Sequence, residues 1–137
     1  MADLSLVATG KVNVIESFVQ MTLPLAEAIN VGEAVRLDPT TGKFTKANGT
    51  IAAEARIYGL LVSKDGAGAV GTALHEGVVD GFDLDALSYD ADVFLSNTDG
   101  ALADAAGTVS TVIGRVIPAT STKLGVAYDK LLLVDCF

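Results

Sequence analysis

The stretch Leu87–Ala119, LSYDADVFLSNTDGALADAAGTVSTVIGRVIPA, carries the pattern from which the architecture follows. Val93 and Leu95 lead into an Asn97–Gly100 turn, and Ala101–Ala103 returns. Thr108–Ile117 then forms a longer apolar strand with Gly114 inside it. The same arrangement occurs earlier in the chain. Val31–Thr50 (VGEAVRLDPTTGKFTKANGT) lies over Tyr89–Thr108 (YDADVFLSNTDGALADAAGT) without a gap. Val35 meets Val93, Leu37 meets Leu95, Gly42 meets Gly100, Phe44 meets Leu102, and Gly49-Thr50 meets Gly107-Thr108. After a three-residue adjustment, Tyr58–Val62 meets Ile113–Ile117. One strand–turn–strand–loop–strand unit therefore appears twice, at about 31–62 and 89–117.

A chain of 137 residues suits one domain, or one domain with an arm. Half of it is hydrophobic, mostly Ala, Val and Leu, and tryptophan is absent. Small and β-branched residues suit a narrow sandwich or barrel interior and offer few stacking platforms for bases or sugars. The mean hydropathy of +0.48 is high, yet the longest strongly apolar run is Leu131–Val134. Nothing approaches the ~20 apolar residues of a membrane-spanning helix, so no membrane partner is expected. Apolar surface shared with other subunits accounts for the hydropathy better. The N-terminal MADLSLVATG has neither a basic region nor a long apolar core, which predicts no secretory signal.

A net charge of −8 argues against nucleic acid, whose phosphates are bound by Lys and Arg. The charge is uneven. No Lys or Arg falls between Asp65 and Gly114, where Glu76, Asp80, Asp83, Asp85, Asp90, Asp92, Asp99 and Asp104 all lie. Such a face keeps a densely displayed protein soluble and repels DNA.

Residues 1–22 fall outside the duplicated unit and carry scattered apolar positions without a helical stripe. Two readings stand: an extended arm with one short strand, ordered by a partner, or an edge strand of the domain. Residues 23–137 form the β domain. In it, Ala26–Ile29 is expected as a strand before an Asn30-Val31-Gly32 turn. Asp38-Pro39-Thr40-Thr41-Gly42 is the strongest turn signal, with Asp38 placed to accept from nearby backbone N–H groups. Thr50–Arg56 suits a single helical turn, Ile57–Ser63 and Ala73–Val79 read as strands, and Lys64–Thr72 between them reads as a flexible loop. A Thr/Ser-rich loop over Pro118–Leu124 precedes a last apolar strand, Lys130–Phe137.

Candidate chemistry is sparse. LDPTTGK lacks the glycine spacing and following helix of a phosphate-binding loop, and KDGAGAVGT lacks a GxGxxG pattern. His75 is the only histidine and Cys136 the only cysteine, so no zinc cluster or intramolecular disulfide is available. Adjacent Glu76 would point to the opposite face of a strand from His75 and could not orient it. Asp80–Asp92 invites a calcium reading but has Ala91 where an EF-hand loop needs Glu. Catalytic, cofactor and metal residues are accordingly expected to be none.

The second unit, DADVFLSNTDGALADAAGTVSTVIGRVIPA, together with INVGEAVRLDPTTGKFTKANG, resembles the head-decoration (capsid cement) proteins of tailed bacteriophages. The shared features are a turn-Gly-x-x-Val-x-Leu-Asp…Gly-Lys hairpin, here Val31–Lys43, and an apolar x-Ile-Gly-x-Val strand, here Val112–Val116. The resemblance spans roughly Ile29 to Val134. It implies an all-β fold: a small β-barrel or β-tulip-like domain with a duplicated hairpin unit, short helical turns and an extended N-terminal arm. It implies a non-enzymatic virion protein, made in the host cytoplasm, that braces the outer capsid surface as a homotrimer on the major capsid protein. Its capsid-contact residues would be Leu4, Leu6, Val7, Val12, Val14 and Phe18. Related hairpins occur in phage fibre, neck and tail modules, which makes a receptor- or glycan-binding module the alternative. Exposed Trp and Tyr clusters would favour it; Trp is absent and Tyr58, Tyr89 and Tyr128 are scattered.

Overall fold

The computed structural model describes residues 2–7, 10–118 and 130–136. Strand β1 (Asn13–Pro24) precedes a first unit of β2 (Ala34–Leu37), β3 (Phe44–Lys46) and β4 (Ile57–Asp65), followed by β5 (Val70–Asp80). The second unit is β6 (Asp92–Leu95), β7 (Leu102–Ala103) and β8 (Val112–Pro118), followed by β9 (Lys130–Asp135). The strands form antiparallel ladders in one curled, half-barrel sheet, ordered β3-β2-β4-β5-β9-β8-β6-β7, with β1 paired to β5. The domain is all-β, as expected. The Thr/Ser-rich stretch after Pro118, Tyr128 and Phe137 lie outside the described residues.

The internal repeat survives down to hydrogen-bond register. Leu37 pairs with Phe44 as Leu95 pairs with Leu102, and Arg36 with Thr45 as Phe94 with Ala103. Across the other ladder, Val35 pairs with Gly59 as Val93 pairs with Gly114, and Arg36 with Ile57 as Phe94 with Val112. Even the bulge recurs, between Val35 and Arg36 and between Val93 and Phe94. Gly42 and Gly100 occupy matching turns at φ +70 and +75, a region that disfavours a Cβ. In the first of these turns the Asp38 carboxylate accepts from Thr40 N–H (2.8 Å) and Thr41 N–H (3.2 Å).

The two units bury opposite faces of this shared register. The main core takes Ala34, Leu60 and Leu74 from the first unit and its β5. From the second unit and β9 it takes Val93, Leu102, Val116 and Leu132. The positions matching Ala34 and Leu60 are Asp92 and Arg115, a cross-strand pair of opposite charges on the solvent side. The positions matching Val93 and Leu102 are Val35 and Phe44. With Leu61 and Ala73 they form a second, smaller core roofed by Met21, Leu23 and Leu25. Each fully buried Leu or Phe here contributes about 1.5–3 kcal/mol over exposure. The polar residues of β6 and β8 thus sit where the second unit has no roof.

Several segments differ from expectation, and the strand expected over Thr108–Ile117 begins only at Val112. Lys64–Thr72 is not a loop: β4 runs to Asp65, β5 starts at Val70, and Asp65↔Val70 and Lys64↔Gly71 continue the ladder. Only a one-turn 3-10 segment, Gly66–Gly68, closes the hairpin, with Gly66, Ala67 and Gly68 all at positive φ. Ala26–Ile29 is not a strand. Its entry is a bend in which Ala26 N–H donates to the Phe44 carbonyl (2.8 Å), and Ile29 turns into the small core. The helical turn expected over Thr50–Arg56 is present as one turn, with Ala55 N–H bonded to Ile51 O at 3.0 Å.

Candidate interaction surface

The first residues lie along the body. Leu4 N–H donates to Leu102 O (2.8 Å), Asp3 bridges Ala103, and Leu6 bridges Phe82. Ser96 Oγ donates to Asp3 Oδ1, and Ala2 N–H to Asp104 Oδ1 (2.8 Å). The edge of β7 is thereby covered at the carbonyl matching the one on β3 that Ala26 covers. Of the expected contact residues, Leu4, Leu6 and Val12 are half-buried against the main core. Their apolar surface is already largely spent within the chain.

Val7, Val14 and Phe18 remain outside. They are 77%, 39% and 61% exposed, and two of them belong to β1. This strand pairs with β5 from Asn13↔Asp80 to Pro24↔Val70, so residues 13–24 form a full twelve-residue strand rather than a short one. Its ladder slips between Val14 and Glu16, between Ser17 and Val19, and between Val19 and Gln20. Ile15 and Phe18 are the residues these bulges leave without a cross-strand partner. A bulge re-aims the side chain it carries, and these two are 46% and 61% exposed. Val19 is 40% exposed, and Glu16 is the one ionisable residue of the strand. Sequence reasoning selected Phe18 and Val14 but not Ile15 or Val19. The available signal was the doubled apolar pairs Val14-Ile15 and Phe18-Val19, which no regular strand alternation accommodates.

His75 stacks on Tyr58 with ring centroids 4.9 Å apart, and its Nδ1–H donates to the Tyr58 carbonyl. The carbonyl can only accept, which fixes that tautomer. Burial pushes the Cys136 thiol up to about 12, with the Asp135 charge adding to the effect. Of the acidic series, Asp83, Asp85, Asp90, Asp92 and Asp99 are exposed, whereas Glu76, Asp80 and Asp104 are half-buried. Among the described residues no three His, Cys, Asp or Glu side chains come together as a metal site. Among the described residues, four of the nine exposed large apolar side chains, Val14, Ile15, Phe18 and Val19, lie on β1. Comparison of the chain with family models, with curated proteins and with solved structures gives no match.

Proposed function

We propose that this chain is a non-enzymatic structural protein of a tailed-phage virion. It binds the outside of the capsid as a decoration or cement protein, with the major capsid protein and further copies of itself as partners. The observation that carries this reading is β1, a strand that displays Ile15 and Phe18 on consecutive bulges. Exposed apolar side chains grouped on one strand favour contact with another surface. The resemblance to decoration proteins supplies the partner, and the all-β body is the fold that resemblance implies. A cement protein works by many modest contacts repeated on a lattice, so no single contact needs high affinity. The exposed aspartates keep the outer face solvated and repel DNA.

The test is to add purified chain to shells of its own phage assembled without it. Saturable binding to the outer surface, with a raised shell-disruption temperature, is expected. Absence of binding would remove the reading, and binding confined to necks, tails or fibres would select the alternative module.

A further inference from the structure

Behind the ladders of β2, β4, β5 and β9 lies an open cavity of about 670 Å³, lined in part by Arg36, Leu37, Arg56, Ile57, Tyr58 and Cys136. Its lining combines apolar side chains with two arginines, in a chain with nine Lys and Arg against seventeen Asp and Glu. Arg56 is exposed and forms no ion pair among the described residues. Arg36 reaches Glu54 only at 3.9 Å, and its Nε–H is buried without an acceptor among the described residues. Arg36 also lies near Glu27 and Asp38, so Arg56 is the guanidinium that the cavity presents without an ion pair among the described residues.

The complement of that site lies on the same molecule. Strand β1 holds Glu16, an exposed carboxylate with no ion pair among the described residues, between the outward Ile15 and Phe18. An aromatic anchor entering an apolar pocket, with a carboxylate meeting arginines at its edge, is the composition of an interface hot spot. We propose that the Ile15–Phe18 segment of one copy docks in the Arg36/Arg56 cavity of a second copy. Phe18 packs against Leu37, Ile57 and Tyr58, and Glu16 meets Arg56. The docking surface on one chain differs from the surface it meets, so repetition closes a ring or a reciprocal pair. This deepens the self-association in the functional proposal and rests on that part of it alone. Capsid binding is read by a separate assay, so either can fail without the other.

The experiment is sedimentation velocity on the full chain from ~1 µM to ~1 mM, for wild type, Phe18→Ala, Glu16→Arg, Arg56→Glu and the Glu16→Arg/Arg56→Glu double variant. Circular dichroism confirms the fold of each. Wild type is expected to associate, and Phe18→Ala to weaken association by about 30-fold, as for loss of a hot-spot aromatic. Each charge reversal weakens association, and the double variant recovers it because the pair is rebuilt with inverted signs. A wild-type chain that is monomeric throughout overturns the proposal. So does association that survives both single reversals, or a double variant no better than either. Should Phe18→Ala fail to fold, the charge-reversal set decides by itself.

Discussion

Gly114 offers the sharpest perturbation of the fold. A Cβ added there would lie 2.0 Å from the Leu133 carbonyl oxygen and 3.0 Å from its carbon. Carbon approaches a carbonyl oxygen no closer than about 3.3 Å in ordinary sheet contacts. Gly114→Ala thus forces β8 and β9 apart by more than ~1 Å at Gly114↔Val134 and Arg115↔Leu133. The obstacle is backbone, so no side-chain rotation relieves it. Overpacking strain of about 1–3 kcal/mol adds to weakened ladder hydrogen bonds of about 1 kcal/mol each. The reduced chain entropy of alanine offsets only ~0.4–1 kcal/mol. A net loss of about 3 kcal/mol follows, a large share of a typical 5–15 kcal/mol stability. With a urea slope of about 1.5 kcal/mol/M, the unfolding midpoint falls by ~2 M. Gly59→Ala should behave alike, because its Cβ would meet the Leu74 carbonyl oxygen at 2.3 Å. Gly10→Ala is the control: nothing lies within 4 Å, only φ +73 opposes it, and about 1 kcal/mol is expected. A Gly114→Ala midpoint within ~0.3 M of wild type would refute the close-approach reasoning.

Three further outcomes are expected. Leu60→Ala should cost about 2–5 kcal/mol, while Arg115→Ala, its counterpart in the second unit and 55% exposed, should cost under ~1 kcal/mol; equal losses in thermal melts would contradict the face exchange. Glu27 is held below its ordinary value of 4.5, chiefly by the Thr45 hydroxyl and also by the Lys46 N–H. Its folded-state value is lowered, so its contribution is complete above about pH 4.5 and disappears as pH falls through the folded value. Glu27→Gln should then flatten the acid limb of stability against pH, and an unchanged limb would show the carboxylate to be uninvolved. Cys136, with its thiol raised to about 12, should react with iodoacetamide at pH 8 roughly a thousandfold more slowly in the native than in the unfolded chain. Comparable rates by mass spectrometry would place that thiol in solvent.

The duplicated unit was legible because its signals are local: Gly42 and Gly100 mark the turns, and Val35/Leu37 and Val93/Leu95 mark the inward positions. What sequence could not convey was which face each unit buries. Alternation fixes two faces without naming the one inside, and Asp92 and Arg115 make sense only once their ladder is seen opposite Ala34 and Leu60. Gly66, Gly68 and Gly71 made Lys64–Thr72 resemble a loop. Gly71 in fact serves packing, since a Cβ there would lie 2.6 Å from a Leu61 methyl carbon. Strand β1 was underestimated for the reason that makes it interesting: its bulges break the period of two that identifies strands. The Arg36/Arg56 cavity combines four strands distant in sequence, and no local motif announces it.

The proposed function makes this chain a lattice protein of a virion. The most direct measurement is its copy number in purified virions, relative to the major capsid protein, by quantitative mass spectrometry. A ratio near one to one is predicted, as decoration of the whole shell requires. A few copies per particle, or none, would contradict it.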